Sequence, residues 1–261
     1  MSAIAYDAIA GVYDQFQKEM NPVAWADYVY KMFYRKQVEH DYQGENGKPL
    51  LLELGCGTGR VLVELAKLGF DVIGIDSSAG MLNVAREQFA DRGQDALLSR
   101  QDITDFELYG TVDCCVSLLD TLNHLIDEIK IKTCFALVAN YLNPGGVFLF
   151  DLATPYHFQQ TLGDKQFFDV TETYAVLWQN TFQPSLALSQ SDITLFESTG
   201  NGLFTRSETR IIERCYSIDD ILSWLKRAGF VEIEIFGERT FSFPSATEER
   251  VFVAARSGKK S

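Results

Sequence analysis

The chain has 261 residues, room for one large α/β domain or a domain with an insertion, and 46% of them are hydrophobic, ample for a core. Its 36 acidic residues outweigh 23 lysines and arginines to give a net charge of −13, which disfavours nucleic acid as a partner because phosphate backbones need a basic face. No apolar run reaches the roughly 18 residues of a membrane span and no secretory leader pattern opens the chain. The five cysteines show no CxxC pairing and the three histidines are scattered, so reduced thiols in a cytoplasmic protein without a metal site are expected.

In chain order, Tyr6, Ala10 and Tyr13 share one helical face, and a second helix is predicted from Pro22, a favoured first-turn residue, to about His40. The polar, glycine-bearing segment 41–48 reads as a loop. Residues 50–60 then read Leu-Leu-Leu-Glu-Leu-Gly-Cys-Gly-Thr-Gly-Arg: a buried strand, a glycine turn and a helix start. Gly55, Gly57 and Gly59 tolerate positive φ and let a ligand approach the backbone. The helix behind them, Val61 to Leu68, offers free N–H groups and a positive dipole end. A dinucleotide fingerprint needs its third glycine at position 60, where the chain has Arg60, so a nicotinamide-dependent oxidoreductase is disfavoured.

A second strand, Asp71 to Ile75, ends in Asp76, whose acceptor-only carboxylate suits paired ribose hydroxyls. Ser77 or Ser78 suits the next helix N-cap. Strand three and its exit cover Leu97 to Ile103, and strand four covers Val112 to Leu118. Strand four runs into Leu119-Asp-Thr-Leu-Asn-His-Leu125 at the carboxyl edge of the sheet, where doubly wound folds bind ligands. Asp120, Asn123 and His124 are the polar groups there, and a histidine with a pKa of about 6.5 suits proton removal. An amphipathic helix, Glu128 to Leu142, ends at Asn143-Pro-Gly-Gly146 before strand five, Val147 to Asp151.

From Ala153 to Tyr216 the period becomes two, with a hairpin signal at Thr199-Gly-Asn-Gly202. This antiparallel β insertion is read either as a lid shaping a substrate site, with Tyr156, His157, Trp178, Arg206 and Arg210 as contacts, or as a homodimer element. Ser217-Ile-Asp-Asp220 reads as a capping-box variant that opens a helix to Ala228. The segments Val231 to Phe236 and Arg250 to Ala255 read as a terminal antiparallel pair at the sheet edge.

The run Glu53-Leu-Gly-Cys-Gly-Thr-Gly59, followed in order by Asp76, Asp102 and the segment 118–125, closely resembles the cofactor motifs of class I S-adenosylmethionine (SAM)-dependent methyltransferases. The resemblance is strong over 48–152 and moderate over 217–256. It implies a Rossmann-like seven-stranded α/β sheet with helices on both faces. The implied organisation is an N-terminal helical cap (1–47), a SAM-binding core (48–152), the antiparallel insertion (153–216) and the C-terminal part of the core (217–256).

The resemblance further implies SAM contacts at Glu53, Gly55, Cys56, Gly57, Gly59, Asp76, Ser77, Met81, Asp102, Ile103 and Leu118. Glu53 would hold N–H groups of the turn or the SAM amino group, Asp76 the ribose hydroxyls and Asp102 the adenine amino group. Met81 and Ile103 would be apolar walls, although Met81 suits core packing equally well and Asp102 suits an exposed turn. Tyr13, with Tyr6 second to it, and Asn123 or His124 would face the acceptor. The implied reaction is in-line transfer of the SAM methyl group to an amine or hydroxyl of a small molecule. An RNA or protein methyltransferase and a SAM-binding module without catalysis are the alternative readings.

Overall fold

The structure, a computed structural model, describes residues 6–7, 9–36 and 47–259. The end of the predicted second helix (37–40) and most of the predicted loop (41–46) lie outside the described residues. Helix α1 (Pro22–Lys36) carries Trp25, Val29, Met32 and Phe33 on one buried stripe. That stripe packs with Leu51, Leu65 and Phe70 in one hydrophobic cluster.

Five apolar runs form the parallel strands β1 (Leu50–Leu54), β2 (Asp71–Asp76), β3 (Leu97–Arg100), β4 (Val112–Ser117) and β5 (Leu142–Ala153). Helices α2 (Arg60–Lys67), α3 (Ala79–Asp91) and α4 (Glu128–Tyr141) connect them. Every residue of β4 is buried, as a parallel strand covered on both faces requires. After the insertion come α5 (Ile218–Arg227) and the strands β10 (Phe230–Gly237) and β11 (Arg250–Ser257). The seven-stranded sheet has the order β10-β11-β5-β4-β1-β2-β3. Strand β11 enters between β5 and β10 and is antiparallel to both, so β10 alone forms that edge. The order reverses between β1 and β4, which opens a crevice at their carboxyl ends.

Two local expectations change. Leu142 already pairs with Val112, and the register shifts before Cys114 meets Val147. Residues 143–146 are therefore a bulge inside β5, where Pro144 has no N–H to give and Gly145 takes φ +73°. Ser217 occupies the N-cap of α5 but its side chain makes no capping bond, whereas the Ser78 hydroxyl caps α3 by accepting from Met81 N.

The insertion forms a separate antiparallel sheet of β6 (Gln166–Val170), β7 (Tyr174–Gln183), β8 (Leu188–Gly200) and β9 (Leu203–Arg214). Asn201 and Gly202, at φ 55° and 73°, make the two-residue turn closed by the Gly200–Leu203 pair. Two positive φ values match the twist of flanking strands, hence Asn-Gly.

The N-terminal segment lies between the two sheets. Ile9 and Val12 join Tyr174, Val176 and Leu195 of the insertion in a third hydrophobic cluster. On its other side the Asp14 carboxylate accepts from Thr58 Oγ1 at 2.6 Å and Gln88 Nε2 at 2.9 Å. Asp7 Oδ1 accepts from Ser78 Oγ and from Gly80 N at the start of α3. Apolar contacts and carboxylate anchors thus hold this segment across the crevice.

Candidate active site

The glycine turn after β1 is fixed by β2. The N–H groups of Gly55 and Cys56 both donate to the Ile75 carbonyl, at 2.8 and 3.0 Å. Asp76 then takes Gly57 N on one carboxylate oxygen and Ser78 N on the other. Asp76 is only 6% exposed, and burial raises its pKa against the pull of those N–H bonds. Gly55 and Gly57 sit at φ +69° and +54°. A Cβ at Gly55 would lie 2.5 Å from Thr121 Cγ2, whereas one at Gly57 would meet no protein atom within 4 Å. The first glycine is required by packing and the second faces an open cradle.

That cradle is an inner chamber lined by Glu53, Gly57, Asp76, Met81 and Leu118 and also by Tyr6, Tyr13 and His124. Glu53 is 4% exposed, and burial, reinforced by Asp76, pushes its pKa up to about 8. Its Oε2 is buried without a hydrogen-bond partner among the described residues. The turn N–H groups are spent on Ile75 and Asp76, so the orphaned oxygen faces a chamber that can bring it a cationic donor. A ligand carrying an ammonium and ribose hydroxyls fits this set of groups.

An outer chamber adjoins the inner one. Tyr6, Tyr13, Leu119 and His124 line both. The insertion contributes its far wall through Trp178, Ile193, Ile211 and Glu213, and Asp120 and Arg250 complete it. Tyr6 Oη lies 2.8 Å from His124 Nε2. Burial lowers the His124 pKa to about 4, against the raising effects of Asp120 and a hydrogen bond to the Ile212 backbone. The ring is therefore neutral at pH 7; with Ile212 on its other nitrogen, Nε2 accepts from the Tyr6 hydroxyl.

The wall between the chambers is strained. Leu119 and Asp120 both take left-handed φ values, 58° and 64°, at a cost of about 1–3 kcal/mol each for residues with a Cβ. Asp151, at the end of β5 and 0% exposed, holds them by accepting from Leu119 N at 2.7 Å and Asp120 N at 3.0 Å. Arg250 bridges Asp151 and Asp120. Neither Asp151 nor Arg250 stood out in the sequence. The available signal was an acid ending an apolar parallel strand, the same signal that marked Asp76.

Several expected site residues lie outside both chambers. Asn123 is 0% exposed, and its amide is spent donating to the Arg214 carbonyl and accepting from Ala153 N. It braces β5 against β9. Asp102 Oδ1 accepts from Thr104 N and Oγ1, which is the local-turn role, and Ile103 is buried in the sheet core. Ser77 lines neither chamber. Of the five insertion contacts, Trp178 alone lines the outer chamber: Arg206 and Arg210 pair with Glu208 and Asp192, and His157 lies 3.3 Å from Glu249. Gly59, at φ +77°, serves as the N-cap of α2 and packs on Ala85. Among the described residues no group of three or more ligands is placed to hold a metal.

The order of strands, the glycine turn and the paired chambers define a Rossmann-like α/β protein with a ligand crevice at the carboxyl ends of β1 and β4. Residues 51–146 match the family described as methyltransferase domain. Over 254 residues the chain is 31% identical to a methyltransferase of Geobacillus sp. (strain WCH70), covering 97% of this chain and 100% of that protein. A shorter match, 32% identical over 114 residues, covers 44% of this chain and 45% of the dTDP-3-amino-3,4,6-trideoxy-alpha-D-glucopyranose N,N-dimethyltransferase of Streptomyces venezuelae. The crystal structure of an S-adenosylmethionine-dependent methyltransferase from Clostridium acetobutylicum ATCC 824 matches with a TM-score of 0.84 at 26% identity, over 97% of this chain and 99% of that one. The chain belongs to the SAM-dependent methyltransferases, and SAM is its cofactor.

Proposed function

We propose that this enzyme methylates an amine or hydroxyl of a small-molecule acceptor bound in the outer chamber. The observation that carries the reading is the junction of the two chambers at Tyr6, Tyr13, Leu119 and His124. SAM, when bound, supplies an electrophilic methyl group on a positive sulfonium. Glu53 holds the SAM amino group, Asp76 takes the ribose hydroxyls, and the backbone at Gly57 makes the close approach. Met81, Cys56 and Leu118 are walls of that chamber. Tyr13 and Tyr6 face the acceptor. His124 is a positioning residue: it holds the Tyr6 hydroxyl and is too weak a base to take a proton at pH 7.

The insertion acts as a lid that excludes water from the transfer. Its contribution of Trp178, Ile193 and Glu213 to the outer chamber favours this role over a purely dimeric one. The exposed Phe168, Val170, Leu177 and Phe204 of the same sheet leave it a surface for a homodimer as well. The Streptomyces relative, a sugar N,N-dimethyltransferase, supports a small-molecule acceptor. The net charge of −13 speaks against RNA, and five free cysteines suit a reducing cytoplasm. Among the described residues no helix is long and apolar enough to cross a membrane. The test is incubation with methyl-labelled SAM and cell extract, followed by fractionation. Label in the low-mass fraction is the expected result, and label confined to RNA or protein overturns the reading.

A further inference from the structure

We propose that the outer chamber receives its acceptor as an ammonium ion, and that Glu213 of β9 holds this ion and takes the proton that must leave before methyl transfer. The inference rests on the small-molecule reading above. It follows from counting which polar groups of the outer chamber are already satisfied. Ser191 donates to Asn180, whose amide also reaches the Lys165 carbonyl. Asp120 is paired with Arg250, and the Tyr6 hydroxyl is spent on His124. The Glu213 carboxylate makes no hydrogen bond among the described residues. Its Oε1 lies 4.0 Å from His124 Nε2, and that nitrogen is an acceptor in the neutral ring. Because that nitrogen already takes the Tyr6 hydroxyl, the Glu213 carboxylate is the acceptor left open to a donor in the chamber.

Charge narrows the donor to a cation. Asp120, Asp151 and Glu213 bring three carboxyl groups to this region against the single guanidinium of Arg250. The Glu213 side chain is only 15% exposed, so water screens it poorly. With all three ionised the imbalance is two negative charges: an alcohol entering the chamber leaves it in place, whereas an ammonium halves it. Tyr6, Tyr13, Phe16 and Trp178 surround the same space with aromatic rings, which attract a cation over their faces.

The proton step balances. The ammonium gives one proton to the Glu213 carboxylate, which becomes a carboxylic acid. The freed nitrogen lone pair forms the N–C bond while the C–S bond breaks and its electrons pass to sulfur. A methylammonium and a neutral thioether result, and the total charge is unchanged. Burial, reinforced by Asp120 and opposed by Arg250, pushes the Glu213 pKa up to about 8. Such a carboxylate is a far better match for an amine, with a pKa of about 10, than an ordinary exposed acid. Tyr6 and Tyr13 face Glu213 as well and stay protonated, because burial raises both hydroxyls further.

The test uses the full chain saturated with S-adenosylhomocysteine and the matched pair cyclohexylamine and cyclohexanol, read by calorimetry at about pH 9, above the raised Glu213 pKa and below that of the amine. The amine is expected to bind at least about tenfold more tightly than the alcohol, as a hydrogen bond to a charged group provides. Glu213→Gln should abolish that preference while S-adenosylhomocysteine affinity is kept, which also establishes that the variant is folded. Equal binding of amine and alcohol, or a preference that survives in Glu213→Gln, overturns the inference and leaves the small-molecule reading standing. Binding of neither probe, with S-adenosylhomocysteine still bound, overturns both.

Discussion

Replacing Glu53 by glutamine separates what this residue costs the fold from what it gives the cofactor. Unfolded, its carboxyl ionises at the ordinary 4.5; folded, at about 8. Between those values the native state keeps a proton that the unfolded chain has released. Stability therefore falls as pH rises through that window and levels off above it. The cost is about 3 kcal/mol at pH 7, and it grows by about 4 kcal/mol between pH 4.5 and 8. A glutamine amide cannot ionise, so the variant escapes this loss. Urea unfolding at the two pH values should show Glu53→Gln gaining on the parent by that amount. The orphaned Oε2 predicts the reverse for binding. Without a negative partner for the ligand ammonium, S-adenosylhomocysteine affinity should drop by about tenfold or more. Because the two readouts move in opposite directions, general damage to the fold cannot imitate the pattern. An unchanged pH dependence together with unchanged affinity would refute the reasoning.

The other predictions concern the turn, the strained wall and the histidine. Gly57→Val puts a branched side chain at φ +54° and into the inner chamber, so S-adenosylhomocysteine binding by calorimetry should vanish while the unfolding transition stays cooperative. Asp151→Leu leaves Leu119 N, Asp120 N and the Arg250 guanidinium without a shared partner; a loss of about 3–5 kcal/mol in denaturant unfolding is expected, and a loss under about 1 kcal/mol would mean the pair does not hold the strain. His124, with its pKa lowered to about 4, should show no NMR titration between pH 8 and 5.5. Its burial also makes stability fall as pH drops from about 6.5 towards 4, because only the unfolded ring gains the proton there.

The core of the fold was legible because its signals are local. A glycine turn behind Leu50 to Leu54, an acid ending β2 and apolar runs with helices between them are patterns confined to short stretches of chain. The antiparallel insertion was legible for the same reason, down to the Asn201-Gly202 turn. What misled was the bulge at 143–146. A proline and two glycines signal a break, but the signal does not say whether the break lies before a strand or inside one. The pairing of Val112 with Leu142, residues far apart in the chain, decides it.

The candidate site divides along the same line. Glu53, Gly57 and Asp76 sit together because one turn and one strand pair carry them, so a motif is enough to locate them. Asn123 looked as well placed as His124, one residue away. On the short helix after β4, however, one residue turns a side chain by about 120°. His124 points to the chambers and Asn123 points back to Arg214 and Ala153. The residues that decide the outer chamber, Glu213, Arg250 and Asp151, come from β9, β11 and β5, three strands with no common sequence signal. The insertion sheet, the antiparallel strand β11 and the parallel core must all be in register before they meet. Cofactor recognition is therefore written into contiguous sequence here. On the proposed reading, acceptor recognition is written into the packing of one sheet against another, and a few substitutions on β7 to β9 would change it while the glycine turn stays as it is.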